Sequence, residues 1–130
     1  MIISHANLAH NLSLIVRELR ASTDTVVVSW LPQYHDMGLI GTILNALYNG
    51  GQSKLVSPVA FLRDPLLWLR AIAAHKVTHS WAPNFGYKIV AQAIERSGVP
   101  FERDLSSVKL LMNAGEQVCA PRPTPKRLEL

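Results

Sequence analysis

The fold is decided by residues 25–51, TVVVSWLPQYHDMGLIGTILNALYNGG, whose pattern predicts a strand, a polar loop and a helix in succession. Thr25 to Trp30 is a continuous, largely β-branched run, which is typical of a strand buried on both faces. Pro32 ends it, because proline has no N–H to give to a strand ladder. The apolar segment from Met37 to Tyr48 predicts a buried, closely packed helix, and Gly50-Gly51 ends that helix.

The same alternation continues on both sides of this stretch. Helices are expected over residues 5–20, 65–75 and 84–96, and strands over 54–57, 77–81 and 108–112. Ser4 is placed to cap the first helix, and Asp64 precedes Pro65 as a cap for a later one. Helices that alternate with strands predict an α/β fold with a mostly parallel sheet covered by helices. Ligands bind such sheets at the carboxyl ends of the strands.

Polar residues follow the first of these strands. His35 and Asp36 lie in the loop after it, where an imidazole could hydrogen-bond a carboxylate or phosphate oxygen, or gate a pocket. Asp36 could orient the ring or bind a cation. The alternative is a local turn in which Asp36 only caps the helix that follows, and the two roles are compatible.

Two further loops follow the third and fourth strands. Ala82-Pro83-Asn84-Phe85 comes after one, and Asn113-Ala114-Gly115-Glu116 after the other. Ala and Gly add little bulk, so the second loop would let backbone groups approach a flat ligand closely. An ordinary strand-to-helix turn is the alternative. Trp30, Trp68 and Trp81 are most simply core residues or pocket walls.

Composition excludes several classes of protein. In 130 residues, 48% are hydrophobic and 17% charged, which excludes a disordered chain. No apolar stretch is long enough for a membrane span, and the first residues do not resemble a signal peptide. The single cysteine, Cys119, excludes an intrachain disulfide framework. These features predict a soluble, cytoplasmic domain.

The net charge of +4 does not indicate nucleic-acid binding. Residues 1–119 hold ten Lys/Arg against eight Asp/Glu, so half of the excess lies in the last eleven residues. No basic stripe is interleaved with aromatic residues. His5 and His10 do not share a helix face, and the sequence predicts no metal site. Neither a Walker sequence nor GxGxxG is present, and no nucleophile elbow suggests a serine hydrolase.

One block resembles a known family. Ser29 to Gly41, SWLPQYHDMGLIG, is similar to the LPxYHDMGLIG segment of fatty acyl-AMP ligases, which belong to the adenylate-forming superfamily. Three other blocks agree with that family in the same order: Ile3–Leu8 with the helix start after its phosphate loop, Ala82–Tyr87 with its APNFAY-like segment, and Asn113–Val118 with its NGAEPV segment.

The resemblance implies an activity and a set of site residues. A fatty acid would attack the α-phosphorus of ATP to give acyl-adenylate and pyrophosphate, and the acyl group would pass to an acyl carrier protein or a polyketide synthase module. His35 would be catalytic, beside the reacting carboxylate. The acyl and carboxylate site would include Tyr34, His35, Asp36, Met37, Asn84 and Phe85, and the adenine site would include Asn113, Ala114, Gly115 and Glu116. ATP and Mg²⁺ would be the cofactors, with the Mg²⁺ ligand outside this chain.

The resemblance also sets expected limits. Residues 1–119 would form a partial AMP-binding (adenylation) domain, an internal fragment of the large N-terminal domain, and residues 120–130 a Pro-rich tail foreign to the family. Ala114-Gly115 reverses the family's Gly-Ala order, and Gln117 replaces a proline. We expect the chain to be inactive alone. The alternatives are a fragment of an acyl-CoA synthetase, or a non-catalytic module that binds acyl chains or nucleotides.

Overall fold

The computed structural model describes residues 2–117, which form one parallel sheet covered by helices. The strands are β1 (Val26–Ser29), β2 (Gln52–Leu55), β3 (His79–Ala82) and β4 (Leu110–Asn113). The helices are α1 (His5–Leu19), a π-helix (Met37–Leu44), α2 (Asn45–Asn49), α3 (Pro58–Arg63), α4 (Leu66–Ala74) and α5 (Asn84–Ser97). The predicted α/β fold is confirmed. The predicted tail, residues 120–130, lies outside the described residues.

The sheet is ordered β2-β1-β3-β4, and every pairing in it is parallel. β1 is therefore an inner strand, and its Val27 and Val28 are fully buried. Helix-covered parallel strands are buried on both faces, which is why the valine run predicted one. The parallel arrangement brings the carboxyl ends of all four strands to one edge of the sheet.

Aromatic rings fill the core on one side of the sheet. The rings of Trp30 and Phe61 stack with centroids 3.9 Å apart, and Trp68 meets both edge-on. The Trp68 indole N–H donates to the hydroxyl of Ser80 over 3.0 Å, and that hydroxyl donates to the Val28 carbonyl over 2.6 Å. The buried polar atoms of Trp68 and Ser80 thus have partners, as burial favours, whereas the buried indole nitrogen of Trp30 has none among residues 2–117.

The helix predicted from Met37 to Tyr48 is present but differs in type. Its first eight residues form a π-helix, and only Asn45–Asn49 are α-helical. The hydroxyl of Thr42 donates to the carbonyl of Met37, five residues earlier, which supports the wider turn. Gly50, at φ +77°, ends the segment in the left-handed region, as the Gly50-Gly51 pair predicted.

Two local expectations are wrong. The second strand was expected over residues 54–57, whereas β2 is Gln52–Leu55 and begins directly after the turn. Asp64 does not cap α4, which starts at Leu66 after Pro65 and has no side-chain cap. Instead, the Asp64 carboxylate pairs with Arg70. The unpredicted α3 precedes it, and there Ser57 caps the helix by accepting the N–H of Ala60.

The described part of the chain has no helix that is both long enough and apolar enough to cross a membrane.

Candidate functional site

The loops at the carboxyl ends of β3 and β4 are joined side by side. The amide of Asn113 donates to the side-chain oxygen of Asn84 over 3.1 Å. The carboxylate of Glu116 accepts the backbone N–H of Phe85 at 2.5 Å. Glu116 therefore supplies the cap that α5 lacks from its own N-terminal residue, Pro83, and its negative charge lies at the positive end of the helix. The two predicted loops form one surface.

His35 and Asp36 form an exposed pair in the loop after β1. The His35 Nδ1 lies 2.7 Å from a carboxylate oxygen of Asp36, and the two side chains are 58% and 74% exposed. The same carboxylate oxygen accepts the N–H of Met37 at 2.7 Å, at the start of the π-helix. The Met37 N–H also donates to Nδ1 of His35 over 3.3 Å, so Nδ1 acts as an acceptor in this contact. Asp36 thus caps the helix, as the turn interpretation predicted, and lies against the imidazole. The catalytic role of His35 stays a prediction.

A pocket of about 370 Å³ opens next to this pair, between α1, the π-helix and the carboxyl ends of β3 and β4. Its walls are almost entirely apolar, and its size lies within the range of small-molecule sites. The residues that line it are Asn11, Leu14, Ile15, Glu18, Leu19, Asp36, Met37, Ile40, Gly41, Trp81 and Met112. Asp36 belongs to both the pocket wall and the His35 pair, so the polar pair lies at the rim of an apolar cavity.

Two glycines of the π-helix affect the pocket in different ways. A Cβ on Gly38 would lie 2.1 Å from the carbonyl oxygen of Pro32, so only glycine lets the helix approach the loop this closely. A Cβ on Gly41 would lie 3.7 Å from the Trp81 indole, which is ordinary contact. Gly41 is therefore not required by packing, and its missing side chain contributes open space to the pocket.

Met37 connects the pocket to the predicted adenine loop. It lines the pocket, and a Cβ built on Gly115 would lie 2.9 Å from its sulfur. Gly115 has φ +88°, a conformation that other residues rarely adopt. In the same loop, the side-chain oxygen of Asn113 is buried and has no hydrogen-bond partner among residues 2–117. A buried acceptor without a partner is uncommon, and it marks this loop as a place where a polar ligand group could bind.

Tyr87 fixes β4 against α5. Its hydroxyl donates to the Met112 carbonyl over 2.8 Å, and burial raises the pKa of this phenol to about 12. The phenol therefore keeps its proton above pH 10, where an exposed tyrosine would lose it, and remains a donor. Because Met112 lines the pocket, this bond holds one wall in position.

The structure distributes the predicted substrate residues over three places. Asp36 and Met37 line the pocket. Tyr34 is 93% exposed and borders a second hollow, of about 460 Å³, formed with residues after β1 and β2. Asn84 and Phe85 lie at the start of α5, where the Phe85 ring meets Trp30 edge-on at 5.7 Å.

Several residues that line the pocket were not predicted as site residues: Leu14, Ile15, Ile40, Gly41, Trp81 and Met112. Trp81 was expected in the core or in a pocket wall, and it is in both. In the sequence, the helical spacing of Leu8, Leu12, Ile15 and Leu19 predicts only an apolar face on α1. That face could not show whether it met another helix or an open cavity.

No group of three His, Cys, Asp or Glu side chains that could hold a metal ion occurs within residues 2–117.

One protein family and several known ligases match this chain in sequence. A family described as AMP-binding enzyme matches residues 1–125. A medium-chain fatty acid–acyl carrier protein ligase from Teredinibacter turnerae is 40% identical over 118 residues, which is 91% of this chain and 18% of that protein. A ligase of the same description from Moorena producens is 34% identical over 91% of this chain and 20% of its own length.

A solved structure is also similar to this chain, in both fold and sequence. The fatty acyl-adenylate ligase from L. pneumophila, in complex with acyl adenylate and pyrophosphate, matches with a TM-score of 0.84 and 42% identity. The match covers 90% of this chain and 20% of that one. The chain thus spans about a fifth of the length of the relatives that it matches. These matches confirm the resemblance to fatty acyl-AMP ligases inferred from the HDMGLIG block. The chain belongs to the AMP-binding enzyme family.

Proposed function

We propose that this chain forms the acyl-binding part of an enzyme that activates a fatty acid with ATP. The products would be acyl-adenylate and pyrophosphate, and the acyl group would then pass to an acyl carrier protein. The observation that carries the proposal is the apolar pocket with the exposed His35–Asp36 pair at its rim. A fatty acid has the same division, with an apolar chain and one polar end.

The acyl chain would lie in the pocket between α1 and the π-helix. Burial of each methylene would stabilise binding by about 0.8 kcal/mol. Within residues 2–117, the only two charged residues that line the pocket, Asp36 and Glu18, are paired with His35 and Arg17. A carboxylate would avoid the apolar inner surface and remain at the mouth, beside the imidazole.

His35 would act on the polar end of the substrate. Nδ1 faces Asp36 and the Met37 N–H, so Nε2 would be the nitrogen that meets the carboxylate or the phosphate. The ring would donate from Nε2 to an oxygen that gains negative charge in the transition state. Asp36 would fix the ring plane. Binding and orientation of the two reactants would supply much of the rate.

The adenine would lie at the loop after β4. The buried, unpartnered oxygen of Asn113 fits an amino group, and Ala114 and Gly115 leave room for a flat ring. Glu116 would hold this loop in place and would not contact the adenine, because its carboxylate already caps α5. ATP would supply the adenylyl group, and the family resemblance implies that the Mg²⁺ ligand lies outside this chain.

The names of the relatives suggest the substrate and acceptor. Two are described as ligases that join medium-chain fatty acids to acyl carrier protein. We infer the same substrate class and acceptor for the protein to which this chain belongs. A cytoplasmic location is inferred with them.

The test is fatty-acid binding by the purified chain, followed through tryptophan fluorescence with dodecanoate as the probe. Gly41→Phe would fill the pocket beside Trp81 and should abolish binding. Leu39→Phe adds the same side chain to the same helix, but Leu39 is 42% exposed and is not among the lining residues, so binding should persist. Equal binding by both variants, or no binding by the unaltered chain, would contradict the proposed pocket.

Adenylation itself is tested by fatty-acid-dependent exchange of pyrophosphate into ATP. We expect no exchange from the chain alone, as the sequence predicted. Exchange that disappears in His35→Ala would show that the chain adenylates by itself and that this expectation is wrong. Dodecanoate binding without exchange is also what a non-catalytic acyl-binding module would give. Only exchange lost in His35→Ala excludes that alternative.

A further inference from the structure

Thr42 is a fully buried polar residue behind the apolar pocket. Its hydroxyl accepts the indole N–H of Trp81 over 3.2 Å and donates to the carbonyl of Met37 over 3.2 Å. Its own carbonyl accepts the hydroxyl of Ser53, on β2, over 3.1 Å. Thr42 has no exposed surface, and it is not among the residues that line the pocket.

The two partners of this hydroxyl stand on different walls. Met37 begins the π-helix, and Trp81 belongs to β3. Both line the pocket. One hydroxyl therefore connects two walls that come from distant parts of the sequence, and the bond to Ser53 fixes the connecting residue to the sheet.

We propose that the Thr42 hydroxyl sets the separation of these two walls and so determines which acyl chains fit the pocket. The proposal rests on the proposed function, in which the pocket holds the acyl chain. Thr42 is a positioning residue in this scheme, because it acts through Met37 and Trp81 and not by contact with the substrate.

The physical reason is that a hydroxyl can donate and accept at the same time. Valine has almost the same shape but can do neither, so Thr42→Val leaves the Trp81 indole N–H buried without its partner. A buried donor in that position is costly, and the wall is expected to shift until the N–H meets another acceptor or water. Thr42→Ser keeps the hydroxyl and should keep the wall in place.

The chain offers a matched control for the loss of a buried hydroxyl. Thr25 is 4% exposed, and its hydroxyl oxygen accepts the N–H of Ser22 over 2.8 Å, away from the pocket. Thr25→Val removes the same group from another buried site. A general loss of stability would therefore appear in both valine variants, whereas a change in the pocket should appear only in Thr42→Val.

The first measurement needs no ligand. Methyl signals of ¹³C-methionine report on Met37 and Met112, and the indole ¹⁵N–H signals report on Trp81. We expect the Met37 and Trp81 signals to shift in Thr42→Val but to stay near their original positions in Thr42→Ser and Thr25→Val. Unshifted Met37 and Trp81 signals in Thr42→Val would overturn the proposal, whatever the chain binds.

The second measurement is the ratio of affinities for dodecanoate and hexadecanoate. In Thr42→Val this ratio should change by about tenfold, the order of effect that one methylene makes at a pocket wall. It should stay within about twofold in Thr42→Ser and Thr25→Val. An unchanged ratio in a variant that still binds would refute the specificity role alone. Absence of fatty-acid binding by the unaltered chain would instead refute the proposed function, and the specificity role with it.

Discussion

Replacement of Gly38 by alanine should destabilise the chain strongly, because the new methyl group would meet backbone. The Cβ would lie 2.1 Å from the Pro32 carbonyl oxygen, 2.8 Å from its carbonyl carbon and 3.1 Å from the Leu31 carbonyl oxygen. None of these atoms is the end of a flexible side chain. The clash can be relieved only if the loop after β1 or the whole π-helix moves.

The size of the effect follows from two opposed contributions. Overpacking of a filled site costs about 1–3 kcal/mol, and contact with backbone places Gly38→Ala at or above the upper end. Alanine in place of glycine stabilises a helix by about 1 kcal/mol. The expected net loss in the free energy of unfolding is therefore about 2 kcal/mol or more.

Gly41→Ala is the matched control, three residues along the same helix. Its Cβ would make ordinary contact with the Trp81 indole at 3.7 Å, so the helix-propensity gain should remain. Urea unfolding followed by tryptophan fluorescence measures both variants. We expect their free energies of unfolding to differ by about 3 kcal/mol, with Gly38→Ala the less stable. If the two variants unfold within about 0.5 kcal/mol of each other, the close approach of Gly38 to the loop is not a constraint on this fold.

Three further predictions concern the loop after β4 and its supports. Burial raises the pKa of Tyr87 to about 12 from 10.0, so between these pH values the unfolded chain loses the phenol proton while the folded chain keeps it. The stability that Tyr87 contributes is therefore present below pH 10 and is lost as the pH rises towards 12. Between these pH values, the free energy of unfolding measured in urea should fall less for Tyr87→Phe than for the unaltered chain. Gly115→Ala should lower stability by about 1 kcal/mol or more and shift the Met37 methyl signal, because φ is +88° and the Cβ meets the sulfur at 2.9 Å. Glu116→Ala should increase hydrogen exchange at the Phe85 amide, whereas Glu116→Gln should keep most of its protection.

The order of the strands and helices was predictable apart from α3, because the other elements carry local signals. The valine run of β1, the glycine stop after α2 and the proline start of α5 all act within a few residues. The π-helix was not predictable from such signals. Within it, the hydroxyl of Thr42 bonds to both Met37 and Trp81, and Trp81 is 39 residues away in sequence.

The candidate site was predictable in part for the same reason. Its loops follow directly from the rule that ligands bind at the carboxyl ends of parallel strands. The walls of the pocket did not follow, because α1 contributes to them from a different part of the chain. One contact that fixes α1 joins the carbonyl oxygen of Leu19 to Nε2 of the buried His79, 3.0 Å away. A lone histidine in a strand gives no sign of such a partner.

The most direct test of this account is to locate a bound fatty acid by NMR, with ¹³C-labelled dodecanoate and the unaltered chain. If the acyl chain binds in the pocket between α1 and the π-helix, the labelled methylenes show NMR contacts to the methyl groups of Met37 and Met112, which line it. Contacts to Leu55 and Val56 instead, in the second hollow beside Tyr34, would contradict this account.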